Sequence, residues 1–198
     1  MLRAVPLQGI VRLLAAMVLI AALAVGRAPA QSTADEAARA QRLDGLFALL
    51  KTVKDQDEGD AIVADIWKLW LQSGSPVLDA RMQEATKLMA YGFLPLALET
   101  LDEIVAGAPQ WAEGWNKRAT VLFLLGHHDR SLADIERVLA LEPRHFGALA
   151  GIGLIRTDKG ELREALAAYR RALAVNPFLK ERYGLIPQLE KELGEKPL

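Results

Sequence analysis

The chain has 198 residues, a formal net charge of −1 and no cysteine. A nearly balanced charge removes any bulk electrostatic case for nucleic acid or for an anionic membrane surface. The missing cysteine excludes disulfides, a thiolate nucleophile and cysteine-based metal sites.

Residues 1–30 read as a leader. Arg3 and Arg12 make a positive start, residues 13–25 are uncharged and apolar, and Ala28, Pro29 and Ala30 have the small-x-small form of a signal peptidase site. Cleavage there would make Gln31 the first residue of the mature chain. The apolar run is shorter than the roughly 20 residues a membrane span needs, and an uncleaved N-terminal anchor is the alternative. With no cysteine after the run, lipoprotein processing is excluded. A leader of this kind implies export, to the periplasm in a bacterium.

Residues 31–41 are polar and alanine-rich and are expected to be a flexible lead-in that becomes helical near its end. Leu43, Leu46, Phe47 and Leu50 have amphipathic helical spacing and predict a helix over 43–53. A charged turn over 54–59 follows. A second helix is expected over 60–72, with Ile62, Ile66, Trp67, Trp70 and Leu71, and Gly74, Ser75 and Pro76 stop it. The segment 42–75 has the size of a helix pair with degenerate markers and reads as a divergent repeat or capping hairpin. Trp67 and Trp70 are either an exposed aromatic patch for a peptide or glycan, or packing against the next unit. Their helical spacing favours packing.

Residues 77–91 and 94–106 form the first clear helix pair, with Pro95 in the first turn of its second helix. Two more pairs of the same design occupy 110–143 and 144–177. Pro109, Pro143 and Pro177 are each 34 residues apart, and so are Gly92, Gly126 and Gly160. One period in two independent markers indicates a repeat architecture. Gly126 and Gly160 can take positive φ at a helix end, and the prolines cannot continue a helix interior. Asp129 is expected as an N-cap. Leu132, Ile135, Val138 and Leu139 make one apolar stripe, and Leu162, Leu166, Tyr169 and Leu173 make the next. A single hairpin cannot bury such a stripe, whereas stacked neighbours can. Asp134, Glu136 and Arg137 fall away from the stripe and read as a solvated face. Residues 178–198 are expected to close the stack. A turn should precede about Leu185 and a helix should begin near Pro187. Leu185, Ile186, Leu189 and Leu193 would face inward, Glu190, Lys191 and Glu192 outward, and the tail should fray.

The period, the proline and glycine markers and the small residues resemble the tetratricopeptide repeat. Its small position in the first helix matches Ala85, Ala119 and Gly153, and that of the second helix matches Ala97, Ser131 and Ala165. The large residue one turn later is Leu101, Ile135 and Tyr169, and the early tryptophan is present once, as Trp115. The resemblance implies an all-α, right-handed solenoid of antiparallel helix pairs, with repeats at 76–109, 110–143 and 144–177.

Chemistry is sparse. There is no phosphate-cradling glycine loop, no G-x-S-x-G and no H-E-x-x-H. His127, His128 and Asp129, with His145 elsewhere, could supply metal ligands, but adjacent turn residues point in different directions, so no metal site is expected. No cofactor and no enzyme activity are expected. What the resemblance implies is binding, because first helices in that family line a concave groove for a peptide. By position the groove residues are Asp79, Met82, Thr86 and Met89, then Glu113, Asn116, Thr120 and Phe123, then Leu154 and Thr157, beside Gly147 and Ala150. Methionine and phenylalanine would anchor apolar side chains, and asparagine and threonine would bond a peptide backbone. The expected role is a periplasmic scaffold or adaptor for another envelope protein, supporting envelope integrity or assembly. The alternative is an accessory subunit of an envelope enzyme or secretion machine, for example in peptidoglycan synthesis.

Overall fold

The structure, a computed structural model, describes residues 29–195, with side chains from Ala34 onward. The expected leader lies outside the described residues up to position 28. Nine α-helices and one 3₁₀ turn are described: α1 Pro29–Leu50, α2 Gln56–Trp70, α3 Pro76–Ala90, α4 Leu94–Gly107, α5 Ala112–Leu124, α6 His128–Leu141, α7 Phe146–Asp158, α8 Leu162–Val175, the 3₁₀ turn Lys180–Tyr183, and α9 Leu185–Leu193. None of the described helices is long and apolar enough to cross a membrane. Residues 40–195 pack as one compact unit, and the part of α1 before Ala40 belongs to another.

The repeat pairs follow the sequence pattern. α3 packs on α4, α5 on α6 and α7 on α8, and α5 also lies beside α4 while α7 lies beside α6. Each pair turns at a glycine: Gly92, Gly126 and Gly160 have φ of 77°, 76° and 73°, a region costly for a residue with a Cβ. The small positions let the helices of a pair approach. Ala85, Ala97, Ala119 and Ala165 are buried, and Ser131 donates its hydroxyl to the Ala119 carbonyl at 2.7 Å. In the last pair the approach is closer still, since a Cβ on Gly153 would lie 2.6 Å from the Tyr169 ring.

Several local expectations change. Residues 31–41 are helical, within α1, where a flexible lead-in is expected. α2 begins at Gln56, inside the expected charged turn, because the Asp55 carboxylate caps it by accepting the Glu58 N–H at 3.0 Å. Asp129 is not an N-cap: His127 takes that position and Asp129 lies in the first turn of α6. Asp134 is not on a solvated face. It is buried and accepts two hydrogen bonds from Arg118, Nε to Oδ2 and Nη2 to Oδ1, each at 2.7 Å. Arg118 also reaches Asp102 of α4 at 2.8 Å, so one guanidinium ties α4, α5 and α6 together. These carboxylates, Asp134 first, hold the Arg118 guanidinium above its usual range. At the far end, α9 starts at Leu185 after the 3₁₀ turn, with Pro187 in its first turn where no N–H is missed. Ile186 and Leu189 face the core as expected, but Glu190 does too, buried and 3.1 Å from Arg170.

α2 departs most from the expected stacking. It turns onto the face made by the first helices of the second and third pairs and the segment after α8. Trp70, Ile66, Ile62 and Leu69 share one buried cluster with Phe47 and Leu50 of α1, and with Phe146 and Phe178 of the repeat array. The Trp70 carbonyl accepts the Trp111 indole N–H at 2.7 Å. A Cβ on Gly59 would lie 2.5 Å from the Phe178 ring, and one on Gly147 would lie 2.7 Å from Trp67, so the helix and the array meet at glycines. The two tryptophans are therefore packing residues, and their contacts lie in the second and third repeats.

Candidate binding groove

The groove is built from short-range sequence rules. In α5, positions 116, 119, 120 and 123 recur three and four apart and share one helix face, as do 147, 150, 151 and 154 in α7. Because α5 and α7 are neighbours, these faces join. α2 crosses them and leaves a cavity of about 330 Å³ between α2, α5, α7 and residues 178–181. Its walls are mainly apolar, with Phe123, Leu154 and Ile135 opposite Val63 and Trp67. Asp60, Asn116, Thr120 and Glu181 supply polar groups. A mostly apolar cleft with a few convergent polar groups is the general form of a ligand site.

Four of the ten residues expected to form the groove line this cavity: Asn116, Thr120, Phe123 and Leu154. Thr120 is exposed while its hydroxyl donates to the Asn116 carbonyl, and Leu154 is 42% exposed, large for a leucine. Phe123 is half-buried and stacks on His128 at 5.6 Å. Asn116 is 8% exposed and its amide donates to Glu113 at 2.9 Å, so much of its hydrogen-bonding capacity is used internally.

The other six lie elsewhere. Met82 is buried in the core of the first pair with Ala85 and Leu101, and Met89 is half-buried against the same cluster. Asp79 accepts from the Ser73 N–H and hydroxyl and orders the turn before α3. Thr86 and Thr157 return their hydroxyls to Met82 and Gly153 carbonyls one turn back.

Glu113 is the sharpest correction, because it is fully buried. Its carboxylate lies 3.1 Å from His145 Nε2 and 3.4 Å from the Lys117 ammonium. The Ala148 N–H donates to His145 Nδ1 at 3.1 Å, so that nitrogen carries no proton and Nε2–H donates to Glu113. His145 thereby caps α7 and tethers α5 in one step. Trp70 stacks on its ring at 4.0 Å and 11°, and Trp67 meets it edge-on at 5.5 Å. The Lys117 ammonium sits 5.9 Å from the Trp67 ring centroid, within cation–π range. This polar centre under α2 belongs to no repeat rule. Its trace in the sequence is Gly147, a glycine inside a helix where the repeat asks for none. Among the described residues no group of three or more histidines and carboxylates could hold a metal ion.

A tetratricopeptide repeat model matches residues 146–178. The chain is 40% identical over 154 residues to a TPR repeat-containing protein of Rhizobium etli, a match covering 78% of this chain and 76% of that one. Among solved structures it is similar to the Sgt2 TPR domain of Aspergillus fumigatus, with a TM-score of 0.56 at 20% identity over 61% of this chain and 81% of that one. It is also similar to the first TPR of Spaghetti (RPAP3) bound to an HSP90 peptide, with a TM-score of 0.55 at 19% identity over 60% and 94%. At these identities the structural likeness concerns the fold.

Proposed function

Since the chain belongs to the tetratricopeptide repeat family, we propose that it is a non-enzymatic interaction module that holds a segment of another protein at the cavity between α2, α5 and α7. The observation that carries this reading is that cavity, about 330 Å³ and mostly apolar, on the joined faces of two first helices. Thr120 and Leu154 are its accessible contacts, with Phe123 behind them. The family's solved structures include one bound to a peptide, which is consistent with this use of the fold.

The place of action is read from the leader: Arg3, Arg12, the apolar run over 13–25 and the small residues Ala28 and Ala30. On that reading the chain acts in the periplasm, as a scaffold or adaptor for an envelope protein. Trp67 and Trp70 are packed, so the pair lends no support to a glycan-contacting accessory of an envelope enzyme. N-terminal sequencing of the exported protein tests the location, with Gln31 as the expected first residue.

The groove is tested by photo-crosslinking in cells, with the photoreactive residue at Thr120 and a control at the exposed Glu136 of α6. A discrete adduct at position 120 alone is expected, abolished by Leu154→Glu with the helical content unchanged. Equal adducts at both positions, or none at 120, would refute the groove.

A further inference from the structure

α2 touches the array along one stripe. Gln56 accepts the Tyr183 hydroxyl at 2.9 Å, Gly59 meets Phe178, Asp60 and Val63 line the cavity, Trp67 meets Gly147, and Trp70 stacks on His145. Positions 56, 59, 60, 63, 67 and 70 are spaced three and four apart, one face of a helix about 22 Å long. Ile62, Ile66 and Leu69 form a neighbouring stripe in the cluster shared with α1. The groove thus already holds an amphipathic helix, seated across two repeats and anchored by two tryptophans one turn apart.

We propose that α2 is an intramolecular ligand of the groove, and that the partner is an amphipathic helix with two large aromatic residues at the i, i+3 spacing of Trp67 and Trp70, which binds by displacing α2. The proposal rests on the reading of the α5–α7 face as the binding surface, places the partner where α2 lies rather than in the space beside it, and adds the class of ligand and the means of control. The pockets left by α2 select such a helix. Gly147 leaves room for an indole edge, the His145 ring offers a flat face at 4.0 Å, and the Lys117 ammonium lies 5.9 Å from the first indole. Glu113 and Asn116 lie beneath, with Glu113 Oε2 held by the Asn116 amide and His145, and Oε1 facing the Lys117 ammonium at 3.4 Å. An attached ligand acts at an effective concentration in the millimolar range. An outside helix therefore competes against it, and its apparent affinity falls by the fraction of molecules with α2 undocked. One exposed contact at the rim comes from α1, where Asp44 meets Arg144 at 2.7 Å with side chains 66% and 38% exposed. The chain re-enters the array through Gly74, at φ 83°.

Gly59→Ala separates ligand from groove. The new methyl would lie 2.5 Å from the root of the Phe178 ring when α2 is docked, yet alanine favours the helix itself. The probe is a fluorescent peptide of residues 54–73 with the native glycine, added to the whole chain and read by polarisation. The Gly59→Ala chain should bind it roughly tenfold or more tighter than the unaltered chain, with faster hydrogen exchange confined to α1 and α2. Adding Gly147→Ala, which fills the indole pocket, should abolish that gain, as should replacing both tryptophans of the peptide by alanine. Should Gly59→Ala fail to fold, Asp44→Arg loosens the rim by charge repulsion and should give a gain of about two- to threefold. A gain in neither variant, or one that survives Gly147→Ala, overturns the proposal. A partner crosslinked at Thr120 through an extended segment would overturn it too and leave the groove reading intact.

Discussion

Replacing Asp134 by alanine should destabilise the array well beyond a surface substitution. The carboxylate is 6% exposed and receives both Arg118 hydrogen bonds at 2.7 Å, so the change strands a guanidinium that is itself only 18% exposed. Breaking a buried pair by removing one partner costs about 3–5 kcal/mol. Arg118 keeps Asp102 at 2.8 Å and stacks 4.8 Å from the Trp115 ring, which brings the expected cost below that range, to about 2–3 kcal/mol. For a chain of this size that is a fall in melting temperature of roughly 5–10 °C. Urea denaturation followed by circular dichroism measures it. The double variant Asp134→Leu with Arg118→Met should recover at least half the loss, because removing both charges leaves nothing buried and uncompensated. A loss under about 0.5 kcal/mol for Asp134→Ala would show an ordinary solvated pair and refute the claim that one guanidinium ties three helices.

Four further outcomes follow from other sites. Gly153→Ala puts a methyl 2.6 Å from a ring that is fully buried, and should cost about 1–3 kcal/mol; in a denaturation cycle with Tyr169→Leu most of that cost should disappear. Gly126→Ala and Gly160→Ala meet no neighbour, so only their φ of 76° and 73° is at issue, and each should cost about 1–2 kcal/mol. Gly45→Ala, equally open but inside α1 without positive φ, should stabilise by up to about 1 kcal/mol in the same assay. Burial pushes the Tyr169 phenol up to about 12. The fold binds this proton more tightly than the unfolded chain does, so the associated stability is whole below pH about 10 and is lost as pH rises toward 12. Tyr169→Phe should remove that part of the alkaline decline, seen as a smaller drop in melting temperature over the same window.

The helix pairs, their turns and their small contact residues were legible because each depends on neighbours in sequence. Gly92, Gly126 and Gly160 end helices through their own backbone, and Ala119 and Ser131 meet because a 34-residue unit folds back on itself. Half-formed expectations of the groove share that origin: Asn116, Thr120, Phe123 and Leu154 lie on one joined face because helical spacing puts them there. Position in the repeat could not reveal which neighbours cover a side chain. Met82 and Glu113 occupy equivalent face positions to residues of the groove, yet one enters the core of its own pair and the other is sealed beneath α2. Asp134 reads as solvated on its own helix and is buried by an arginine sixteen residues away.

The sequence by itself determined an all-helical array of paired helices and its glycine turns, since those are set by periodicity and backbone preference within each pair. The tertiary structure alone decided where α2 lies. Its two apolar stripes would suit a stacked first repeat as well as a helix laid across the array. The choice falls to contacts far apart in sequence: Gly59 with Phe178, Trp67 with Gly147, and Trp70 with His145. No local rule encodes such contacts, because each depends on the shape left open by the partner surface.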